Sequence, residues 1–255
     1  MSPASWLTSH ANVFAAGGSI TLNVIGGVAT VVVLELGRRL HRRFAHRRFR
    51  TVIGLGVQRV TLTLGKLIPS GNYAFRLEGV SDYGITAKEI GSFCEIRGLS
   101  YIARSIAQNS SIETQVMAAP EIASEFNLDF IAVGAMSNLK SCDLFTNSGN
   151  RLAEFSFQQG AFVRKRDGSV LWRNRQGYDH GIIVKINPAQ FPGRTWITCS
   201  GFNEWGTSGT AYFHANHWCE LHKQLKGCDK PFIAVIEVQE GKDQSAMLQI
   251  FECEA

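Results

Sequence analysis

Between Val13 and Leu34 the chain runs for 22 residues without a charged side chain. As a helix rising about 1.5 Å per residue, this run spans about 33 Å, enough for a bilayer core, and it predicts one transmembrane helix over residues 13–35. Helices buried in soluble domains are rarely apolar all round for so long. Residues 36–50 then set Leu36, Leu40, Phe44 and Phe49 among basic positions, which predicts an amphipathic continuation at the lipid headgroups.

From about residue 51 the pattern shortens to runs of strand and helix length. "RVTLTLGKL" reads as a strand, and Thr86 with Glu89 makes a capping box that opens a helix from about Ala87 to Ala107. "IETQVMAA" follows, then an apolar strand from Asp129 to Ala135 that runs into Met136, Ser137 and Asn138. "EFSFQQGAFVRKRDGSVLWRN" alternates with strand period around the turn signal Asp167-Gly168. "GIIVKINP" and "TWITCSG" read as buried strands, residues Thr207 to about Leu225 as a helix, and "FIAVIEV" with "AMLQIFEC" as a closing hairpin. Alternating strands and helices predict an α/β fold: a Rossmann-like mixed sheet over 51–255 with a hairpin insert near 155–175.

Charge decides how the apolar run is placed. Residues 2–12 contain no Lys or Arg, whereas Arg38, Arg39, Arg42, Arg43, Arg47, Arg48 and Arg50 follow the run. A secretory signal has the opposite order, so the segment reads as retained. The positive-inside rule puts residues 1–12 outside and the large C-terminal domain in the cytosol, at a bacterial inner membrane. These seven arginines are the expected contacts with anionic headgroups, each contributing on the order of 1 kcal/mol. The chain has 26 basic and 21 acidic residues, and without that cluster the balance is 19 to 21, so the pI near 9.0 speaks for a membrane surface. Direct nucleic-acid binding is not expected: the hairpin cations Arg164, Lys165, Arg166, Arg173 and Arg175 have only Trp172 among them for stacking.

Inside the apolar run, Ala16, Ser19, Asn23, Gly27 and Thr30 follow steps of three or four and share one helical face. Small residues there permit close helix approach and Asn23 calls for a polar neighbour at mid-membrane, so this face predicts a homo-oligomer; the alternative is a passive anchor.

The most informative soluble stretch is "TWITCSGFNEWGTSGTA", a strand passing through a glycine-rich loop into a helix N-terminus. Free amides and the helix dipole at Thr207, Ser208 and Gly209 suit a phosphate, with Asn203, Glu204, Trp205 and Gly206 lining a crevice at the strand end. Ser137 and Asn138, after another apolar strand, would converge on the same ligand pocket. An ordinary capped turn accounts for the same residues equally well. There is no P-loop, no GxSxG elbow and no HExxH, so no catalytic residue is assigned. No cofactor is expected, and no metal: His214, His217, Cys219 and His222 spread around a helical wheel without a known ligand spacing. The six cysteines form no CxxC pair and read as reduced, small core residues.

The arginine collar "RRFRTVIG" after the apolar run, with "DFIAVGAMSN", "GYDHGIIVKINP" and "WITCSGFNEWGTSGTA", resembles the membrane-tethered Rossmann-like proteins of bacterial antiphage systems, some of which accompany short Argonautes and others nucleotide-signalling enzymes. The resemblance covers most of the chain in layout and supplies no catalytic residues. It implies an effector whose cytosolic domain senses a nucleotide-type signal or a defence-system partner protein, while the membrane helices oligomerise to disrupt the inner membrane. The alternative is a membrane-anchored enzyme acting on a nucleotide or glycosidic bond.

Overall fold

The computed structural model describes residues 34–36, 39–40, 43–65, 92–135, 137–147, 155–158, 161–164, 168–173 and 175–254. The expected membrane face from Ala16 to Thr30, Arg38, Arg42, the Thr86/Glu89 capping box and Asp167 lie outside them. No helix among the described residues is long and apolar enough to cross a membrane. The chain divides into two compact units, residues 1–46 and 47–255. In the first, the described residues are helical, Arg39 pairs with Glu35 at 3.0 Å, and Leu34, Leu36, Leu40 and Phe44 are all exposed.

The second unit is α/β, built on a seven-stranded mixed sheet of order β10-β9-β7-β8-β3-β1-β2. The strands are β1 (Arg59–Leu64), β2 (Glu113–Ala118), β3 (Phe130–Val133), β7 (Tyr178–Ile186), β8 (Trp196–Gly201), β9 (Phe232–Gln239) and β10 (Lys242–Cys253). β2, β1, β3 and β8 run parallel; β7 is antiparallel to both β8 and β9, and β10 to β9. The central strands read as unbroken apolar runs because both of their faces are covered. Ile131, Val133, Ile183 and Ile197 enter one core with α2 (Phe93–Asn109) and α4 (Glu204–Asn216). Phe130, Ala132, Ile182, Val184 and Trp196 enter the other with Leu144 of α3 (Leu139–Thr146). Strand alternation thus feeds two cores from one sequence run.

Several boundaries differ from expectation. The folded unit starts at Arg47, not at 51, because the end of helix α1 (residues 43–53) is a core element: Phe49, Val52 and Ile53 are buried, and Phe49 meets Trp218 edge-on at 5.4 Å. Arg50 donates to the Val57 carbonyl at 2.6 Å. Helix α2 begins at Phe93, with Ser92 at its N-cap position and the Ser92 hydroxyl 2.8 Å from the Cys94 thiol. The insert is a three-stranded antiparallel sheet, β4 (Phe155–Gln158), β5 (Ala161–Arg164) and β6 (Val170–Arg173), not a single hairpin. The single helix expected over 207–225 is two, α4 and α5 (Trp218–Gln224). His217 leaves helical geometry (φ −110°, ψ 21°) and stacks on Phe213 at 4.9 Å, redirecting the chain so that Leu221 enters the core. The cysteines do not all read as core: Cys94 and Cys199 are buried, Cys142 is half-buried, and Cys219, Cys228 and Cys253 are exposed free thiols.

One buried cluster holds the end of α1. The Lys185 ammonium of β7, fully buried, donates to the Thr51 carbonyl at 2.8 Å and pairs with Asp229. Asp229 also accepts from the Leu55 amide at 2.6 Å, and the Thr51 hydroxyl lies 2.7 Å from His222 Nδ1. Burial drives the Lys185 pKa below the ordinary lysine value, and the Asp229 charge opposes this. A lysine so placed takes over an orphan carbonyl of the last helical turn.

Candidate functional site

In open α/β sheets ligands bind outside the carboxyl ends of the strands, where the chain switches direction across the sheet. Helix α2, the next described element after β1, packs on one face, while α3, which follows β3, packs on the other, so the switch lies between β1 and β3. At the expected crevice the structure brings together Gly65 after β1, Gly134 and Ser137 after β3, and the end of β8, whose Cys199 carbonyl accepts from the Gly134 amide at 3.0 Å.

Glu95, in the first turn of α2 and 3% exposed, spans this switch. One carboxyl oxygen accepts from the Gly65 amide at 2.6 Å and the other from the Ser137 hydroxyl at 2.6 Å. Burial raises its pKa above the usual carboxylate value, and the two hydrogen bonds hold it back. Gly134 has φ +105°, and a Cβ there would overlap the Glu95 carboxyl. Only glycine lets the strand end approach the acid so closely. Asn138 is fully buried and stitches the strand ends together: its amide donates to the Thr63 and Val133 carbonyls, both at 3.0 Å, and its oxygen accepts from the Lys140 amide, capping α3.

The N-terminus of α4 already has an anion. Asp179, buried on β7, accepts from the Gly206 amide at 2.6 Å and from the His180 amide at 2.8 Å. Gly206 packs against β7 so tightly that a Cβ would overlap the His180 carbonyl. Thr207 accepts from the Gly201 amide at 3.2 Å and donates to the Asn203 carbonyl. Ser208 donates to Asp243 at 2.6 Å and accepts from Arg97 at 2.7 Å. Gly209 lies against Val238. Gly206, Thr207, Ser208 and Gly209 are therefore buried and bonded within the fold, whereas Asn203 and Glu204 are exposed at the rim and Trp205 half-buried beside them. The Arg97 guanidinium lies 4.4 Å from the Trp205 ring centroid and pairs with Asp243 at 2.8 Å.

Cys94, buried in the first turn of α2, is the neighbour of Glu95 in the chain. Its thiol is pushed up by burial first, the Ser92 hydroxyl 2.8 Å away opposes this, and the negative charges of Glu95 and Glu204 add to the rise. Such a thiol stays protonated and is a poor nucleophile. The polar groups near the strand ends thus include two acids: Glu95, buried with both carboxyl oxygens accepting hydrogen bonds, and Glu204, exposed in the first turn of α4. That chemistry suits hydroxyls and amines, such as ribose hydroxyls, better than phosphate oxygens. Among the described residues no three of His, Cys, Asp and Glu are grouped so as to hold a metal ion.

Glu95, Asp179, Arg97 and Asp243 escape a local reading of the sequence. Asp179 alone leaves a signal, a carboxylate embedded in a buried strand "YDHGIIVKI" that must have a buried donor. No protein-family model, curated protein or solved structure matches this chain.

Proposed function

We propose that the protein is a membrane-anchored effector of a bacterial antiphage type, whose α/β domain senses a nucleotide-type ligand at the carboxyl-end crevice. In this reading the segment 13–35 is the transmembrane helix, Arg38 to Arg48 engage anionic lipid while Arg50 is held by the Val57 carbonyl, and oligomerisation through Ala16, Ser19, Asn23, Gly27 and Thr30 disrupts the inner membrane. The observation that carries it is Glu95, held between the ends of β1 and β3 where a ribose would be read. The attachment of α1 supports it further: β7 bonds the helix α4 at the crevice through Asp179 and the end of α1 through Lys185, so a ligand-dependent shift has a bonded route to the tether. Control of the membrane segment requires the ligand to bind one assembly state better than another.

The test is inner-membrane potential in bacteria expressing the full chain, beside a chain starting at Arg47, with the neighbouring genes and an infecting phage supplied. Depolarisation by the full chain that is lost in Asn23→Leu is the expected result. Polarisation that stays intact under all these conditions refutes the effector reading. A second reading, an anchored enzyme acting on a glycosidic bond, rests on two acids near the strand ends: Glu95, buried with its pKa raised by burial, and the exposed Glu204. It expects product formation by the wild type that Glu204→Gln abolishes.

A further inference from the structure

A second cleft of about 370 Å³ lies along the same helical layer, between α2, α4 and β10. The Arg97–Asp243 ion pair and the Tyr101 hydroxyl, which donates to Asp243 at 3.0 Å, stand at its edge. Its walls are unlike those of the crevice. Tyr101 and Tyr212 meet edge-to-face at 5.2 Å, and Arg104, Gln108, Asn216 and Gln244 complete the lining.

The donors and acceptors inside divide into two groups. Ser105 is spent on the Ala215 carbonyl at 2.6 Å, and the Asn216 amide on the Tyr212 carbonyl at 3.0 Å. The Arg104 guanidinium, the Tyr212 hydroxyl and the carboxamides of Gln108 and Gln244 have no partner among the described residues. Among the described residues no Asp or Glu lines the cleft, and Asp243, bonded to Tyr101 at its edge, is matched by Arg97. Among the described residues the cleft therefore carries one unmatched positive charge, hydroxyl and amide donors around it, and two aromatic rings.

We infer that this cleft is a binding site for a small phosphate monoester on a ring body, separate from the Glu95 crevice. The guanidinium fork takes two phosphate oxygens, the neighbouring hydroxyl and amide donors take the third, and the tyrosines pack against the ring. The volume lies within the range of small-ligand sites, towards its lower end, which limits the ligand to about the size of a nucleoside monophosphate or a sugar phosphate. Those two sources share the recognised chemistry and differ in whether a base or a sugar meets the tyrosines.

The experiment is saturation-transfer and phosphorus NMR on the full chain in detergent micelles, with adenosine 5′-monophosphate, glucose 6-phosphate, adenosine and inorganic phosphate as probes. At least one ester is expected to bind more tightly than inorganic phosphate or adenosine. Arg104→Gln, at an exposed position that leaves the fold intact, is expected to weaken it about tenfold or more. Tighter binding of the nucleotide identifies a base-stacking site, and tighter binding of the hexose ester a sugar site; either supports the inference. Failure of both esters to bind overturns it, as does affinity unchanged by Arg104→Gln. It is equally overturned if Glu204→Gln abolishes binding and Arg104→Gln does not, which puts the ligand in the crevice.

Discussion

Removing Asp229 leaves the Lys185 ammonium buried with one backbone carbonyl as its partner. Breaking one side of a buried ion pair costs about 3–5 kcal/mol, and since Asp229 is 22% exposed, water relieves part of the loss and Asp229→Ala is expected at the low end, about 3 kcal/mol. For a folded unit of this size that corresponds to a fall in Tm of about 6–12 °C, measured by circular dichroism on the full chain in detergent. The pH dependence gives the signature. The Lys185 pKa in the fold already lies below its ordinary value, and loss of Asp229 lowers it further. Between that value and about 10.4, the unfolded chain holds a proton that the folded chain has released, so stability rises with pH. Asp229→Ala should therefore regain stability from neutral pH towards about pH 10, more steeply than the wild type, while Lys185→Met should lack this rise. Replacing both by apolar residues should bring stability back to within about 1 kcal/mol of the wild type, because neither charge is then stranded. If Asp229→Ala loses less than about 1 kcal/mol, or its pH profile parallels that of Lys185→Met, the assignment of a charged, buried clasp fails.

Three further outcomes follow from the same geometry. His214 is fully buried, with its pKa pushed down to about 4 by burial and then by the Lys185 charge. The unfolded chain takes up that proton first, so stability is complete above about pH 6.5 and falls by about 3 kcal/mol as pH drops towards 4; urea unfolding of His214→Leu across this window should show a flatter acid limb. Gly206→Ala drives a methyl into the His180 carbonyl and should cost about 2 kcal/mol in urea unfolding, a measurement that would show no loss if α4 could move away from β7. Arg97→Met removes the cation beside Tyr101, whose phenol is already raised by burial and by Asp243; ultraviolet titration should find that phenol ionising at still higher pH.

What was legible in the sequence is what local pattern controls. The apolar runs of β3, β8 and β9, the strand-loop-helix passage into α4, and the α/β class follow from periodicity and from turn residues within a few positions of one another. The partners of those elements are another matter. An exposed helix N-terminus and one filled by Asp179 have the same local sequence, because the carboxylate arrives from a different strand. Glu95 looks like any acid in a first helical turn until Gly65 and Ser137 are folded onto it. Phe49 shows the same limit at a boundary: its spacing from Leu40 and Phe44 suits a headgroup helix, yet with Val52 and Ile53 it belongs to the domain core. The antiparallel placement of β7 between β8 and β9 depends on pairing across long loops, which hydrophobic alternation does not encode.

Asp179 and Lys185 are six positions apart on one strand, so their side chains emerge on the same side of the sheet, with Ile183 of the α4-side core between them. A slip of β7 by a single residue would turn both towards the α3 side and bring Ile182 and Val184 round in their place. Hydrophobic burial alone would hardly register the error, since the strand is apolar on both faces. The two charges do register it: a shifted strand strands a carboxylate at one end and an ammonium at the other, each several kcal/mol out of place. β7 is thus keyed at two points, like a bolt with a tooth at either end, and only one pairing of the central sheet lets both teeth engage.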